Sequence, residues 1–384
     1  MDLTLFFSPI EESIYSSATP VSSFFHNIRA YTEKMPDYTG AHIALIGVNE
    51  TRGAGHHPGA LSAPDEIRRK LYDLKKGSGA YRIVDLGNLN PGVDLDETYV
   101  RLSEVCRMLL EKNVLPVILG GTHDLDYGQY CAYEGFEKLV SMLNVDAFLD
   151  LEDRHGVAAD RRHLHRILLH EPNYLLSYTH LAYQTYLIDP ASIGVLEKLY
   201  FEAFRVGQMR TKLSEMEPAI RQADMLSFDI SAIRSADAPG CDRAQPFGLM
   251  GEDACQIAWY AGMNEKLSSL GIYGYSPGMD DSHHKTAAVI ATMVWYFVEG
   301  YYHRKNEQDF RSNDFTKFTV SMPGEPDTLI FYKSRFTERW WMEIPGSGKS
   351  AYSRSSIVPC SYTDYQTATA GELPDRFITA LGKL

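Results

Sequence analysis

The sequence predicts an α/β protein built on a mostly parallel sheet covered on both faces, with a small β-containing appendage at the C-terminal end. Three observations carry this expectation. Short β-rich apolar runs recur along the chain, separated by amphipathic stretches. Most of these runs are continuously apolar, as strands buried on both faces are. The character then changes over residues 315–384, where KFTVSM and TLIFYKSRFTERWWMEI read as hairpin strands followed by Pro- and Ser-rich loops. The expected organisation is an α/β domain over 1–310, with 1–40 as an N-terminal extension, and an appendage over 311–384.

The expected strands are HIALIGV from His42, YRIVDLG from Tyr81, LPVILGG from Leu115 and DAFLDL from Asp146. QTYLI from Gln184, DMLSFDI from Asp224 and GIYGYS from Gly271 follow. Helices fall between them. Ser62 and Ala63 lead into Pro64, Asp65 and Glu66, a helix start with acidic residues at the positive end of the dipole. From Asp96 to Asn113, the residues Tyr99, Leu102, Val105, Cys106 and Leu109 share one helical face. Glu252–Leu270 and His283–Tyr302 also read as helices.

Composition narrows the function. At 384 residues, with 44% hydrophobic and 23% charged residues, the chain can bury a sizeable core. A formal net charge of −13 argues against nucleic acid or an anionic membrane as partner. The N-terminus MDLTLFFSPIEESIYSS lacks a basic region, and its apolar stretch is short for a signal peptide. The run AAVIATMVWYFVEGYY is broken by Glu299 and Gly300, so a buried helix is expected, not a membrane span. Five cysteines form no C-x-x-C pair, which fits reduced thiols in a cytoplasmic protein and argues against a zinc site. Cys360 has no evident base and reads as inert.

In an open parallel sheet, ligands bind beyond the carboxyl ends of the strands. Three strand ends are rich in polar residues. LPVILGGTHD delivers His123 and Asp124 after a Gly-Gly turn. DAFLDLEDRHG, read as a strand running on past Asp150, places Asp150, Glu152 and Arg154 on one side by period-two spacing; Asp153 and His155 then face away. DMLSFDISAIRSADAPG delivers Asp229 and Ser231.

These three segments resemble, in order, the ureohydrolase (arginase, agmatinase, formimidoylglutamase) motifs G-G-D-H-S, D-x-H-x-D and S-F-D-x-D-x-x-D-P-x-x-A-P-G. The third match keeps Ser227, Phe228, Asp229, Ala238, Pro239 and Gly240; the first keeps Gly120, Gly121 and His123. IALIGVNETRGAGHHPGALSAPDEIRRKL is similar to the family's opening strand, glycine loop and first helix, and GIYGYSPGMDDSHHKTAAVIA to its closing strand and last helix. The resemblance spans roughly residues 40–305 and implies a three-layer αβα, arginase-like fold. It also implies two Mn²⁺ ions bridged by carboxylates and by an attacking hydroxide. Carried over in this register, His123, Asp150 and Asp229 are retained as metal ligands. Glu152 replaces a histidine and can still coordinate a hard cation. Arg154 replaces an aspartate, and Ser231 another. Arg154 is a permanent cation aimed at Asp150 and Asp229, and on this reading it stands in for a metal ion. Its replacement by alanine would then be strongly destabilising. Gly274 stands where arginase-like members carry a guanidinium-gripping glutamate. The family's mobile catalytic histidine has a loose counterpart in His170.

The leading expectation is therefore a ureohydrolase-fold pseudoenzyme with a degenerate manganese site, an occluded cavity and no tightly bound Mn²⁺, acting as a binding or structural subunit. The alternative is a formimidoylglutamase-like hydrolase of linear amidine C–N bonds. It would hold one Mn²⁺ on His123, Asp150, Glu152 and Asp229, with Asp150 and His170 as catalytic residues. A third reading is a metal-free enzyme using Glu152, Asp150 or His123 as acid or base. A homo-oligomer or a protein partner is expected, with no nucleic acid and no membrane insertion. His283 and His284 do not share a helix face and do not read as a second metal site. Trp340 and Trp341, adjacent on a strand, should face opposite ways.

Overall fold

The computed structural model describes all residues except 1, 2, 19, 56–61, 137, 155, 308, 346–355 and 384. The glycine-loop segment 56–61 and His155 thus lie outside the described residues. Among the described residues, fourteen strands form two sheets. In chain order the strands of the first are β1 (Phe7–Ser8), β2 (Arg29–Ala30), β3 (Ile43–Val48), β4 (Ile83–Leu89), β5 (Leu115–Leu119), β6 (Val140–Val145), β7 (Leu175–Tyr183), β8 (Glu202–Arg205), β9 (Met225–Asp229) and β10 (Ser269–Tyr273). They pair in the order β1-β4-β3-β5-β10-β9-β6-β7-β8, with β2 also on β4. All pairings are parallel except β1 on β4. The N-terminal extension thus supplies β1 and β2 at one edge.

Alternation along each strand divides the core into layers. Ile43, Leu45, Val117, Leu119, Leu226 and Phe228 face the helices Ala63–Asp73, Gly251–Met263 and Lys285–Tyr302. Ala44, Ile46, Val84 and Ile118 face the helix Leu95–Leu110 through Tyr99, Leu102, Val105 and Leu109. Helices therefore cover both faces of a mostly parallel sheet, as the sequence predicts.

One buried ion pair ties the first of these helices to the sheet. The Arg68 guanidinium donates to both oxygens of Asp85 on β4 at 2.9 Å, and both side chains are fully buried. Tyr72, one turn further along the helix, donates its hydroxyl to the same carboxylate at 2.9 Å.

The second sheet is antiparallel and C-terminal: β11 (Phe315–Ser321), β12 (Thr328–Ser334), β13 (Trp340–Ile344) and β14 (Ser356–Cys360), in that order. Trp340 and Trp341 take opposite faces, and both are buried. Trp340 packs with Phe331, Met342 and Phe377. Trp341 packs with Phe315 and Tyr332 and lies 4.2 Å under the guanidinium of Arg221. Arg221, in the helix Glu217–Gln222, also donates to the Trp340 carbonyl at 2.9 Å, joining this sheet to the rest of the molecule.

Four expected elements differ. The strand expected from Asp146 is instead VSMLNV, ending at Val145, so Asp146–Leu151 follows the strand. QTYLI is mostly a 3-10 turn, and the strand there is Leu175–Tyr183. The helix expected over 252–270 stops at Met263 because the Asn264 side-chain amide turns back onto the carbonyls of Ile220 and Ala223. β14 forms in a stretch read as loop, where β13 supplies backbone partners that sequence alone does not reveal. No described helix is long and apolar enough to cross a membrane.

Arg68→Ala leaves Asp85 buried without its cation. It is expected to lower the unfolding free energy by about 3–5 kcal/mol, read as a shifted midpoint in urea denaturation.

Candidate metal centre

Four strands adjacent in the sheet, β5, β10, β9 and β6, end side by side, and their carboxyl ends build the site. After β5 the chain turns at Gly120 and Gly121, both at left-handed φ of +86° and +83°. A Cβ on Gly121 would fall 2.1 Å from Leu125 Cδ1, so a side chain is excluded there. This tight turn delivers His123 and starts the helix Leu125–Cys131, which carries Asp126. After β6 come Asp146, Phe148 and Asp150, with Asp150 at φ +49°, a conformation aspartate tolerates better than most residues. β9 ends on Asp229 itself. His163 opens the helix His163–Leu168.

His123, Asp146, Asp150 and His163 are all buried and present one ligand atom each within 4.8 Å of one another. His123 Nδ1 lies 3.1 Å from Asp146 Oδ2 and 3.4 Å from Asp229 Oδ2. His163 Nε2 lies 3.6 Å from Asp150 Oδ2. Yet His123 Nδ1, Asp146 Oδ2 and His163 Nε2 each lack a hydrogen-bond partner. Three buried polar atoms left unsatisfied and pointing at one another are costly unless something else sits between them.

The outer atoms of both imidazoles are held. His163 Nδ1 is 2.9 Å from Asp126 Oδ1; a carboxylate only accepts, so Nδ1 carries the proton and Nε2 presents its lone pair inward. Ser227 donates to Asp126 Oδ2 at 3.3 Å, which spends its only proton. Its oxygen therefore accepts from His123 Nε2 at 2.9 Å, and His123 Nδ1 is left as an inward lone pair. Asp126 thus sets both ring orientations, the arrangement that metal-binding histidines require. Two imidazole nitrogens and several carboxylate oxygens form a donor set that suits Mn²⁺, and the unsatisfied atoms fit such an ion.

The electrostatics point the same way. Burial, with repulsion from Asp150 and Asp229, pushes the Asp146 carboxyl up to about 6. At Asp150 burial acts in the same sense, but Arg243 and His163 outweigh it and hold this carboxyl well below the usual range. Burial opposes protonation of His163; Asp126 and Asp150 outweigh it and raise its pKa. The cluster concentrates negative charge that a cation, or protons on the imidazoles, must balance.

His123 and Asp229 wall a cavity of about 500 Å³ that also exposes Asp160, Arg243 and Gly274. Burial lifts Asp160 to about 6, and its Oδ1 has no partner. Gly274 takes φ +80°, and a Cβ there would come within 2.6 Å of Asp229 Oδ2. No side chain fits at this position, let alone a glutamate.

The structure corrects several expected site residues. Arg154 does not reach Asp150 or Asp229: its side chain is 78% exposed and pairs with Glu152 at 2.7 Å, both outside the buried cluster. Glu152 is accordingly not a ligand here. The cation on Asp150 is Arg243, donating at 2.8 and 3.1 Å. His170 bonds the Tyr127 hydroxyl at 3.0 Å and lines a different cavity with Arg166. In place of the expected occluded cavity there is one of about 500 Å³. His123 and Asp150 do come together, with Asp229 beside them. Asp146, His163, Asp126, Asp160 and Arg243 were missed. For Asp146 a signal existed: D-A-F-L-D from Asp146 to Asp150 repeats the terminal spacing of D-x-H-x-D four residues earlier than the register chosen, with Phe148 in the histidine position. The others come from separate segments, with no local signal.

A parallel αβα fold with a carboxylate- and histidine-rich centre at its strand ends defines the class. The arginase family model matches residues 41–299, and the chain belongs to the arginase family. A formimidoylglutamase of Streptococcus gordonii is 23% identical over 311 residues, covering 76% of this chain and 93% of its own. Trypanosoma cruzi formiminoglutamase, solved with Mn2+2, superposes with a TM-score of 0.63 at 19% identity, covering 71% of this chain and all of that one. The formimidoylglutamase of Bacillus subtilis gives 0.63 at 20% identity, over 72% and 91%. These chains share the fold.

Asp126→Ala is expected to weaken Mn²⁺ binding about 10–100-fold, and His163→Ala, which removes a ligand atom, at least as much, measured by calorimetric titration on variants with unchanged circular dichroism. Arg154→Ala, in contrast, should alter stability by less than about 1 kcal/mol, as an exposed ion pair does; a larger loss in thermal melting would restore a structural role for Arg154.

Proposed function

We propose that this protein is a divalent-metal-dependent hydrolase of linear amidine C–N bonds, with a formimidoylglutamase-like substrate. The observation that carries the reading is the set of unsatisfied, inward-facing atoms of His123, Asp146 and His163 beside the cavity. The formimidoylglutamase relatives support the choice of substrate class. Arg154, expected to fill the centre of a degraded site, lies outside it and pairs with Glu152, which removes one support of the inactive reading.

His123, Asp146, Asp150 and His163, with Asp229 beside them, would hold the ion. When bound, such a cation lowers the pKa of water so that hydroxide is available near neutral pH. The chain's own groups do the rest. Asp160 and Asp229 face the cavity with Asp242, an acidic lining that suits a cationic amidinium. Asp160, ionising near pH 6, is matched to taking a proton from the attacking water and returning it to the departing amine. Water adds to the formimidoyl carbon, the bond to the glutamate nitrogen breaks, that nitrogen takes the proton, and formamide and glutamate separate. Gly274 offers no carboxylate to grip a guanidinium, which disfavours arginine and agmatine.

The test is turnover by the Mn²⁺-loaded protein. N-formimidoyl-glutamate should be cleaved at least about tenfold faster than arginine or agmatine. Absence of turnover on every amidine, with Mn²⁺ bound, would refute the hydrolase. Asp160→Asn is expected to retain Mn²⁺ and to lower kcat by about 10²–10⁴-fold; an unchanged kcat removes Asp160 from the reaction.

A further inference from the structure

We propose that this centre is built for a single divalent cation, with the Arg243 guanidinium occupying the place of a second. The inference rests on the proposal that the centre binds a divalent ion, and it concerns how many. The ureohydrolase motifs describe a two-ion site, and the Trypanosoma cruzi relative was solved with Mn2+2. Here the carboxylate oxygens that would turn to a second ion already accept hydrogen bonds.

Asp146 Oδ1 accepts from the Ser231 hydroxyl at 2.5 Å and from the Phe148 N–H at 3.0 Å, leaving only Oδ2 without a partner. Asp229 Oδ1 accepts from the Ser231 N–H at 2.7 Å. Both oxygens of Asp150 accept from Arg243, though each keeps a further lone pair. What remains facing inward is His123 Nδ1, His163 Nε2, Asp146 Oδ2, Asp229 Oδ2 and one side of Asp150. That set supplies the roughly four to six donors that one ion takes, and not a second set.

The two positions that break the family pattern build the substitute. Phe148, in the histidine position, lies 3.5 Å beneath the Arg243 guanidinium, a contact that stabilises a desolvated cation. Ser231, in an aspartate position, contributes a hydroxyl proton where a ligand oxygen would be. Among the carboxylates that face inward, Asp146, Asp150 and Asp229 carry three negative charges, the number that one divalent ion and one guanidinium supply. A second ion would sit against a guanidinium that cannot deprotonate. Arg243 therefore performs, from a loop three residues beyond Gly240, the neutralising role that the sequence suggested for Arg154.

The experiment is an Mn²⁺ titration of the full-length protein with metal counted by plasma mass spectrometry, together with its electron paramagnetic resonance spectrum. One Mn²⁺ per chain with the signal of an isolated ion is expected. Two per chain with exchange-coupled features would overturn the single-ion centre and leave the hydrolase reading intact; no Mn²⁺ would overturn both. In Phe148→His/Ser231→Asp/Arg243→Met the count should rise from one to two. A folded triple variant still binding one would show that Arg243 does not hold the second place. Should that variant fail to fold, the wild-type count decides.

Discussion

Asp126 is the constraint on which the centre depends. It is fully buried at the start of the helix that follows the Gly120–Gly121 turn; His163 Nδ1 lies 2.9 Å from its Oδ1 and 2.8 Å from its Oδ2, and the Ser227 hydroxyl donates to Oδ2. Through these two contacts it fixes the protonated nitrogen of one imidazole directly and of the other through a relay. Helix, β9 and the His163 segment are thereby locked to one another, and two lone pairs converge on a volume bordered by Asp146 and Asp150. A carboxylate in the second layer thus decides what the first layer can do.

The same economy governs charge. Burying several carboxylates beyond four adjacent strand ends is unfavourable in a low-dielectric interior unless cations answer them. Arg243 answers Asp150, and the inward nitrogens of His123 and His163 can be answered by protons or by a metal. Elsewhere the fold treats buried charge differently: Arg68 and Asp85 pair with each other, and Asp65, Asn88, Gly87 and Tyr72 take up their remaining hydrogen bonds, so neither is left unpaired. The contrast between a closed ion pair that holds helix to sheet and an open cluster beside a cavity separates structural charge from chemical charge in this molecule.

Register separates the expected place of Arg154 from its actual one. The apolar look of DAFLDL suggested a strand, while the real strand, VSMLNV, contains Ser141 and Asn144, which look unsuited to a buried strand. The Ser141 hydroxyl accepts from Lys266 Nζ at 3.3 Å, and the Asn144 side-chain N–H donates to the Tyr178 hydroxyl at 3.1 Å, although Asn144 Oδ1 has no partner. Moving the strand end back to Val145 brings Asp146 into the site, and Asp150 enters as the far aspartate of the motif. Period-two reasoning fails beyond that point because the backbone is irregular and Asp150 itself is left-handed. Arg154 then falls on an exposed segment.

The sequence by itself determined the α/β class, the positions of most strands along the chain, the family resemblance and three of the residues that gather at the centre, His123, Asp150 and Asp229. These follow from local periodicity and from motifs that keep their spacing along the chain. Only the tertiary structure decided that His163 joins His123, that Asp126 orients both, and that Arg243 rather than Arg154 neutralises Asp150. His163 lies 40 residues from His123 and 37 from Asp126, and Arg243 lies 93 from Asp150, and nothing along the chain encodes contacts that exist only once neighbouring strand ends are packed side by side.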